Sequence, residues 1–467
     1  MMRALILAGL FLSTSAVATP ADNQWHAKAR ALLDKAIAYP TVAGRNQVPA
    51  YAEYLAGEYK AAGFSDVRVV PHEGQKGDGT AALIVRWPAA GKAKAKPILL
   101  MSHMDVVEAK PTDWTLDPFK LIEKDGYYYG RGTTDIKSGN VAVTAALLKL
   151  KAEGFKPNRD LIVFFTGDEE TEMNGARLGA TDWRKQGWTD AEFGLNSDGG
   201  GGAFTKEGRA LGFGLQTAEK TYQSYDLTVR NRGGHSSRPR PDNAIYELAT
   251  ALKKLEAYRF TPALNETTRA YFVERAKQES GPLGDAMRRW IANPNDGAAA
   301  DTIEANELEV GTTRTRCVAT MLSGGHADNA LPQLAQARVN CRILPGVEPK
   351  AIEAELKQVV GPDVEVTAFG TPNVPTPVSP LRPDVVGAYT RSVRAMFPNA
   401  QVIPQMSTGA TDGKEFRAVG IPVYGVDGSW IVSPDDERAH GRDERLPVKA
   451  LDDDVDHWVR MIRSLAG

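Results

Sequence analysis

The sequence predicts an α/β fold in which helices cover both faces of a central sheet. Three nearly continuous apolar runs, at 97–107 (PILLMSHMDVV), 161–170 (LIVFFTGDEE) and 193–200 (FGLNSDGG), are typical of strands buried on both faces. A helix predicted at 138–153 from its apolar spacing separates the first two runs. Strands and helices that alternate in this way form a sheet that binds its ligands beyond the carboxyl ends of the strands.

Size and composition bound the class of protein. The 467 residues are 42% hydrophobic and 24% charged, with a formal net charge of −2. This balance is ordinary for a globular protein, and the length exceeds what one compact core supports, so we expect two domains. No basic run interleaved with aromatic residues occurs, which disfavours a nucleic-acid partner.

Residues 1–18 have the features of a signal peptide. Arg3 supplies a positive charge, residues 4–12 form an apolar core, and Ala16-Val17-Ala18 matches an A-x-A cleavage site. The alternative is a membrane anchor, but the apolar run is too short for a hydrocarbon layer of about 30 Å. We therefore expect an exported protein, periplasmic or secreted, whose mature chain has no membrane span.

The remaining elements follow in chain order. Before the first apolar run, the spacing of apolar residues predicts helices within 24–64 and strands at 66–71 and 81–86. After about residue 215 the pattern becomes strand, helix, strand, strand, helix, strand, which is typical of an α+β sandwich with its helices on one face. Its predicted parts are a strand within 225–237, a helix at 243–257, two strands that bracket 324–332, a helix at 348–360 and a strand at 364–370.

The order of these elements indicates that the second domain is inserted into the first. A polar, helix-like insertion covers about 262–300, and a Pro-rich segment at 371–383 is typical of a linker. A helix at 384–396 and a strand at 421–426 then return to the α/β pattern. We predict a catalytic domain formed by 19–215 and 376–467, interrupted by a smaller lid domain at 216–375.

The chain has two cysteines, Cys317 and Cys341, each in a strand-like run. In an oxidising compartment an even pair favours a disulfide, and neighbouring antiparallel strands could bring the two together. Two buried free thiols are an equal alternative. Neither cysteine has a base near it in sequence, so neither is a candidate nucleophile.

Acidic and imidazole side chains recur at the ends of the apolar runs. Imidazole and carboxylate groups are ligands that Zn²⁺ accepts, and one shared carboxylate can bridge two ions about 3.5–4 Å apart. The sequence therefore predicts a site for two divalent cations. Its candidate residues are His103, Asp105, Asp135, Glu169, Glu170, Asp198 and His440.

Each of these features also has a simpler interpretation. His103 and Asp105 could be a hydrogen-bonded pair in the core, and Asp135 could be a helix cap. Asp198 could belong to an ordinary glycine-rich turn. Glu169 and Glu170 are the most informative pair, because adjacent carboxylates in a partly dry site repel one another unless a cation is bound.

Eight segments along the chain form an ordered set of motifs. They are MSHMDVV (101–107), WTLDPF (114–119), YYYGRGTTDIKSG (127–139), FFTGDEETEMNGA (164–176), NSDGG (196–200), GGHSSRP (233–239), ATDGKEFRAVGIPVYGV (410–426) and AHGRDERL (439–446). In order and spacing this set resembles the M20 metallopeptidase family over nearly the whole mature chain. The resemblance implies a di-zinc α/β domain interrupted by a lid that is often a dimerisation unit. The helical insertion and an Asp at 198 resemble the Gly-Xaa carboxypeptidase and dipeptidase branch.

The resemblance implies a role for each matching position. One zinc would be held by His103, Asp135 and Asp198, and the other by Asp135, Glu170 and His440. Co²⁺ or Mn²⁺ would also suit these ligands. Glu169 would be the general base, Asp105 would orient His103, and the peptide bond after Asp135 would be cis. In the lid, His235 would stabilise the oxyanion from a partner subunit, while Asn329 and Arg342 would hold the substrate.

The sequence thus predicts an exported, metal-dependent exopeptidase that cleaves dipeptides or short peptides with a free C-terminal carboxylate. An N-acyl amino acid amidohydrolase is the close alternative, because the same chemistry would deacylate such a substrate. A non-catalytic metal- or peptide-binding protein is a more distant one. A serine hydrolase is disfavoured by the lack of a G-x-S-x-G motif. We expect a homodimer through the lid, a small-molecule substrate and no nucleic-acid partner.

Overall fold

The computed structural model describes residues 20–74, 77–370 and 373–467, so the predicted signal peptide lies outside the described residues. In the described part of its first half, the chain forms five α-helices and eight strands. The helices are α1 (Pro20–Ile37), α2 (Val48–Ala61), α3 (Lys137–Ala152), α4 (Asn174–Ala180) and α5 (Asp182–Lys185). The strands are β1 (Asp66–Glu73), β2 (Gly79–Trp87), β3 (Ile98–His103), β4 (Ile122–Lys124), β5 (Tyr127–Tyr129), β6 (Leu161–Thr166), β7 (Phe193–Phe204) and β8 (Ala210–Glu219).

The second half supplies the remaining elements in the described ranges. The strands are β9 (Thr221–Arg230), β10 (Gly234–His235), β11 (Arg316–Gly324), β12 (Ala330–Leu331), β13 (Leu334–Ile343), β14 (Glu365–Phe369), β15 (Val402–Ser407), β16 (Val423–Val432) and β17 (Arg445–Pro447). The helices are α6 (Ala244–Ala257), α7 (Glu266–Gln278), α8 (Gly281–Ala292), α9 (Gly297–Glu304), α10 (Pro349–Val360), α11 (Pro383–Met396), α12 (Gly413–Ala418) and α13 (Val448–Ala466).

The main sheet has eight strands in the order β1-β2-β6-β3-β7-β16-β8-β15. At its centre β6, β3, β7 and β16 run parallel, whereas β1 and β2 are antiparallel. Alternate residues of β3 enter different cores: Ile98 and Leu100 pack with α1, α3 and α13, and Leu99 and Met101 pack with α5 and α12. Helices therefore cover both faces, and the predicted α/β class is confirmed.

A second sheet has four antiparallel strands in the order β11-β13-β9-β14. Helices α6 and α10 pack against it in a separate core that includes Leu248 and Leu356. The chain order β9-α6-β11-β13-α10-β14 is a split βαβ sandwich, as the sequence pattern indicated. The main sheet takes strands from both sides of this segment, and it continues through β8 to Glu219, four residues beyond the predicted boundary at 215.

The insertion at 262–300 forms a small helical cluster. Helices α7, α8 and α9 bury Phe272, Trp290 and Ile303 in a core of their own. The two cysteines form a disulfide that joins β11 to β13, where Cys317 lies directly opposite Cys341. This resolves the two alternatives that the sequence left open in favour of the disulfide.

The buried strands are shorter than the apolar runs that predict them, with one exception. β3 ends at His103 instead of 107, and β6 ends at Thr166 instead of 170, so the acidic residues lie in the loops that follow. β7 instead continues past 200 to Phe204. Within the described part of the chain, none of the helices combines the length and apolar character needed to cross a bilayer.

Candidate metal centre

The parallel strands bring the predicted ligands to one edge of the main sheet. His103 ends β3 directly beside Thr166, the last residue of β6, and the Met104 amide donates to the Thr166 carbonyl at 2.7 Å. Glu169 and Glu170 follow β6 by a few residues, and Asp198 lies on β7, the other neighbour of β3. Residues from three separate chain segments therefore converge because their strands are adjacent and parallel.

Asp135 lies at the centre of this group and contacts both histidines. Its Oδ1 is 3.2 Å from His103 Nε2, and its Oδ2 is 2.9 Å from His440 Nε2. His440 Nε2 is also 3.1 Å from Glu170 Oε2, and His103 Nε2 is 3.9 Å from Asp198 Oδ2. Among the described residues, three groups of potential ligands have donor atoms within 4.8 Å of one another: the two predicted sets, His103–Asp135–Asp198 and Asp135–Glu170–His440, and a third group, His103–Glu169–Glu170.

Asp105 is close to His103, but its contacts differ from the prediction. His103 Nδ1 donates to the main-chain carbonyl of Asp105 at 3.0 Å, whereas the carboxylate is 3.6 Å away. The two carboxylate oxygens instead accept the main-chain amides of Glu169 (3.1 Å) and Glu170 (3.0 Å). The side chain of Asp105 therefore fixes the backbone of the glutamate pair, and its carbonyl fixes the imidazole of His103.

Glu444, which the sequence analysis did not single out, holds the loop that carries Asp135. This fully buried carboxylate accepts from Arg131 Nη1 at 2.6 Å and from the main-chain amides of Gly132 (3.1 Å), Thr134 (2.7 Å) and Asp135 (3.0 Å). The Asp135–Ile136 peptide bond is cis, as the resemblance implied. The sequence signal for Glu444 was its place within the motif AHGRDERL, four residues after His440.

The electrostatics of the group favour bound cations. Burial, together with the nearby carboxylate of Asp198, raises the pKa of Glu169 well above its usual range, and burial raises the pKa of Asp198 to about 7. Hydrogen bonds to Asp135 and Glu170 raise the pKa of His440 to about 10. Burial opposes the charge on His103, but the carboxylates of Asp105 and Asp135 outweigh it and raise the pKa of this group. Without metal, the carboxylates hold protons on these groups, and divalent cations would replace those protons.

Most of the candidate site residues line one cleft of about 980 Å³. Its lining includes Asp135, Glu169, Glu170, Asp198 and His440, together with Arg342 and Tyr222 of the four-stranded sheet. The guanidinium of Arg342 lies 4.9 Å from the centre of the Tyr222 ring and donates to the Thr408 carbonyl at 3.1 Å. The structure thus brings Arg342 to the predicted metal ligands within one chain.

His235 and Asn329 lie elsewhere in the lid. His235 pairs with Ala330 in the short β10–β12 ladder, and Asn329 directly precedes β12. The Ser236 amide donates to the Asn329 carbonyl at 3.1 Å, and the side chains of His235 and Asn329 are both exposed. Among the described residues, neither of the two lines the cleft. One chain therefore brings together the predicted metal ligands, Glu169 and Arg342, but not the complete set of predicted site residues.

Comparisons with known proteins agree with this geometry. Residues 99–464 match the family described as Peptidase family M20/M25/M40. The chain belongs to this family. It is 29% identical over 398 residues to a probable carboxypeptidase S-like 2 of Dictyostelium discoideum, covering 82% of this chain and 74% of the relative. It is 28% identical over 380 residues to the human N-fatty-acyl-amino acid synthase/hydrolase PM20D1, covering 79% of this chain and 74% of that relative.

A solved structure shows the same fold. The M20 family metallo-carboxypeptidase Sso-CP2 from Sulfolobus solfataricus matches with a TM-score of 0.68 at 18% identity, over 94% of this chain and 99% of that chain. With the family match, this establishes a hydrolase of the M20 metallopeptidase type, as the motifs predicted.

Proposed function

We propose that this M20 hydrolase is a two-metal exopeptidase that cleaves dipeptides or short peptides with a free C-terminal carboxylate. The observation that carries the proposal is one cleft in which two ligand sets share Asp135, Glu169 lies beside them, and Arg342 faces them from the lid. A bidentate guanidinium is well suited to a carboxylate, and a substrate anchored at that end would present its last amide bond towards the metal ligands.

The ligand set fits two metal ions. Asp135 has one oxygen directed at each histidine, which is the arrangement a bridging carboxylate needs. Glu170 Oε1 is buried and has no hydrogen-bond partner among the described residues, so it is free to bind a cation. His103, Asp135 and Asp198 would hold one ion, and Asp135, Glu170 and His440 the other. Zinc is the metal we propose, and cobalt or manganese would suit the same ligands.

When bound, the ions would lower the pKa of a coordinated water and polarise the scissile carbonyl. The chain supplies the proton transfers. Glu169, which is buried, lines the cleft and is fixed through its amide by Asp105, would take a proton from the attacking water and return it to the leaving amine. Burial raises the pKa of Glu169, the direction that suits a group which must accept a proton and hold it before release.

A second subunit would complete the site. His235, proposed to stabilise the oxyanion, and Asn329, proposed to hold the substrate, are exposed and lie away from the cleft of their own chain. The edge strand β11 carries exposed Val318, Met321 and Leu322, and an apolar edge strand of this kind favours pairing with another sheet. We therefore propose a homodimer through the lid, in which His235 and Asn329 reach the partner's cleft.

An N-acyl amino acid amidohydrolase is the second candidate. The human relative PM20D1 is named for N-fatty-acyl-amino acids, and such a substrate presents the same carboxylate to Arg342. The non-catalytic alternative is disfavoured by membership of a hydrolase family together with an intact Glu169. We also propose that residues 1–18 direct export to a periplasm or the cell exterior.

One experiment tests the proposal and separates the two substrates. The protein is dialysed against chelator, metals are added back singly, and hydrolysis is measured on matched Gly-Xaa dipeptides and N-acetyl amino acids. We expect activity to return with zinc, cobalt or manganese and to be higher on the dipeptides. Higher activity on the N-acetyl series would favour the amidohydrolase, and no metal-dependent activity on either series would refute the proposal.

A further inference from the structure

A second cavity, of about 650 Å³, adjoins the metal cleft at Arg342, which lines both. Lys220, Arg316 and Thr408 line the same cavity. They surround Gly311 closely: a Cβ atom built there would be 3.1 Å from Lys220 Nζ, 3.8 Å from Arg316 Cγ and 4.0 Å from Thr408 Cγ2. The wall that would hold a substrate carboxylate is thus extended by two further cationic side chains.

The two arginines form an unusual pair. Arg316 of β11 lies directly opposite Arg342 of β13, so the two side chains share one face of the lid sheet. Like charges in this position destabilise a sheet. Within the described residues Arg342 has a carbonyl and an aromatic ring as partners, Thr408 and Tyr222, and forms no ion pair with a carboxylate. A bound anion would remove the repulsion between the arginines.

Lys220 adds a buried positive charge to this pair. Its side chain is almost fully buried, and its Nζ donates to the Arg314 carbonyl at 2.7 Å. The nearby carboxylate is Glu304, which lies 3.7 Å from Arg316 Nη1. That carboxylate already accepts the main-chain amides of Gly311 (2.9 Å) and Thr313 (3.0 Å). Lys253 and Glu256, which also line the cavity, pair with each other. Glu304 is therefore left to balance both Arg316 and Lys220, and with Arg342 the region beside the cleft carries a net positive charge.

We propose that Arg316 and Lys220 bind the side-chain carboxylate of an acidic residue at the C-terminal end of the substrate, next to the α-carboxylate on Arg342. The inference deepens the proposed function and rests on it. Glutamate or aspartate supplies two carboxylates to three cations. A neutral residue would leave the net positive charge of Arg316 and Lys220 without a second substrate carboxylate, and this difference produces the specificity. Peptides and N-acyl amino acids that end in an acidic residue carry the same two carboxylates.

The test compares isosteric substrates and matched variants. We expect kcat/KM to be higher for Gly-Glu than for Gly-Gln, and R316Q to reduce that ratio by about 10- to 100-fold, as for the loss of one charge-assisted hydrogen bond. R338Q is the control, because it removes the same charge from the same sheet. Arg338 lies on β13, four residues from Arg342, and is already paired with Asp226 at 2.9 and 3.2 Å. The control should keep the ratio of the unmodified protein.

Three results would overturn the inference: equal kcat/KM for Gly-Glu and Gly-Gln, an unchanged ratio in R316Q, or an equal fall of the ratio in R338Q. Hydrolysis of neutral substrates would in each case leave the proposed function intact. If no substrate were cleaved, the site would be tested by calorimetry, which compares the dissociation constants of free glutamate and free glutamine. Tighter binding of glutamate that is lost in R316Q supports the site, and equal binding refutes it. Because Arg316 lies on an edge strand and is partly exposed, R316Q should fold, which a melting curve checks.

Discussion

Substitution of Glu444 by Gln tests whether this buried carboxylate holds the loop of Asp135. The carboxylate pairs with Arg131, which is only 2% exposed, and accepts three main-chain amides together with the Thr134 hydroxyl. A Gln side chain keeps the volume but removes the negative charge and turns an NH₂ group towards these donors. The guanidinium is then left buried without its counter-ion.

The structure sets the size of the expected effect. Removal of one partner from a buried ion pair costs about 3–5 kcal/mol, because the remaining charge stays in a medium that solvates it poorly. Since the volume is kept, cavity formation adds little. We therefore expect E444Q to lower the free energy of unfolding of the metal-free protein by about 3–5 kcal/mol. We also expect weaker metal binding, because one neutral amide oxygen replaces the two carboxylate oxygens that hold the loop of Asp135.

Urea denaturation followed by circular dichroism, in the presence of a chelator, measures this change. E437Q is the matched control: Glu437 is exposed, lies seven residues away, and its substitution should change stability by less than about 0.5 kcal/mol. If E444Q unfolded within about 0.5 kcal/mol of the unmodified protein, the reasoning that Glu444 holds this loop would be refuted.

Three further predictions follow. E169Q should keep both metal ions by elemental analysis and lower kcat by about 10²- to 10⁴-fold, the usual range for a general base, and normal turnover would exclude Glu169 from the mechanism. In the metal-free protein the pKa of His440 is raised to about 10, so its charged form stabilises the fold below about pH 6.5 and this contribution is lost as the pH rises towards 10. H440Q should therefore have a lower melting temperature than the unmodified protein near pH 6 and the same melting temperature above pH 10. A difference in melting temperature that does not change with pH would contradict this. Reduction of the Cys317–Cys341 disulfide, which spans 24 residues, should cost about 3 kcal/mol in urea denaturation; no change between reduced and oxidised protein would contradict it.

Much of the fold followed from local patterns. β3 begins with four consecutive apolar residues and β6 with five, because both faces of these strands are covered, and this can be seen without coordinates. The strand ends could not be predicted, because pairing stops where the backbone turns to present His103 and the glutamates. β15 was not predicted, since its sequence VIPQMS is short and only partly buried.

The sequence predicted which residues form the candidate site better than it predicted which atoms they contact. The motifs named the residues of both ligand sets, and the structure brings them together. The contacts of Asp105 with the amides of Glu169 and Glu170 depend on how two loops meet, which spacing within His-x-Asp does not reveal. Glu444 was missed for the same reason, because its partners lie 309 to 313 residues away in the chain.

The metal content of D135N tests the central claim, that Asp135 is shared by both ligand sets. After dialysis and reconstitution with zinc, elemental analysis of the unmodified protein should find two ions per subunit. D135N should hold fewer than one, because both sets lose a ligand together, and the exposed control D363N should keep two. Two ions retained by D135N would contradict the account.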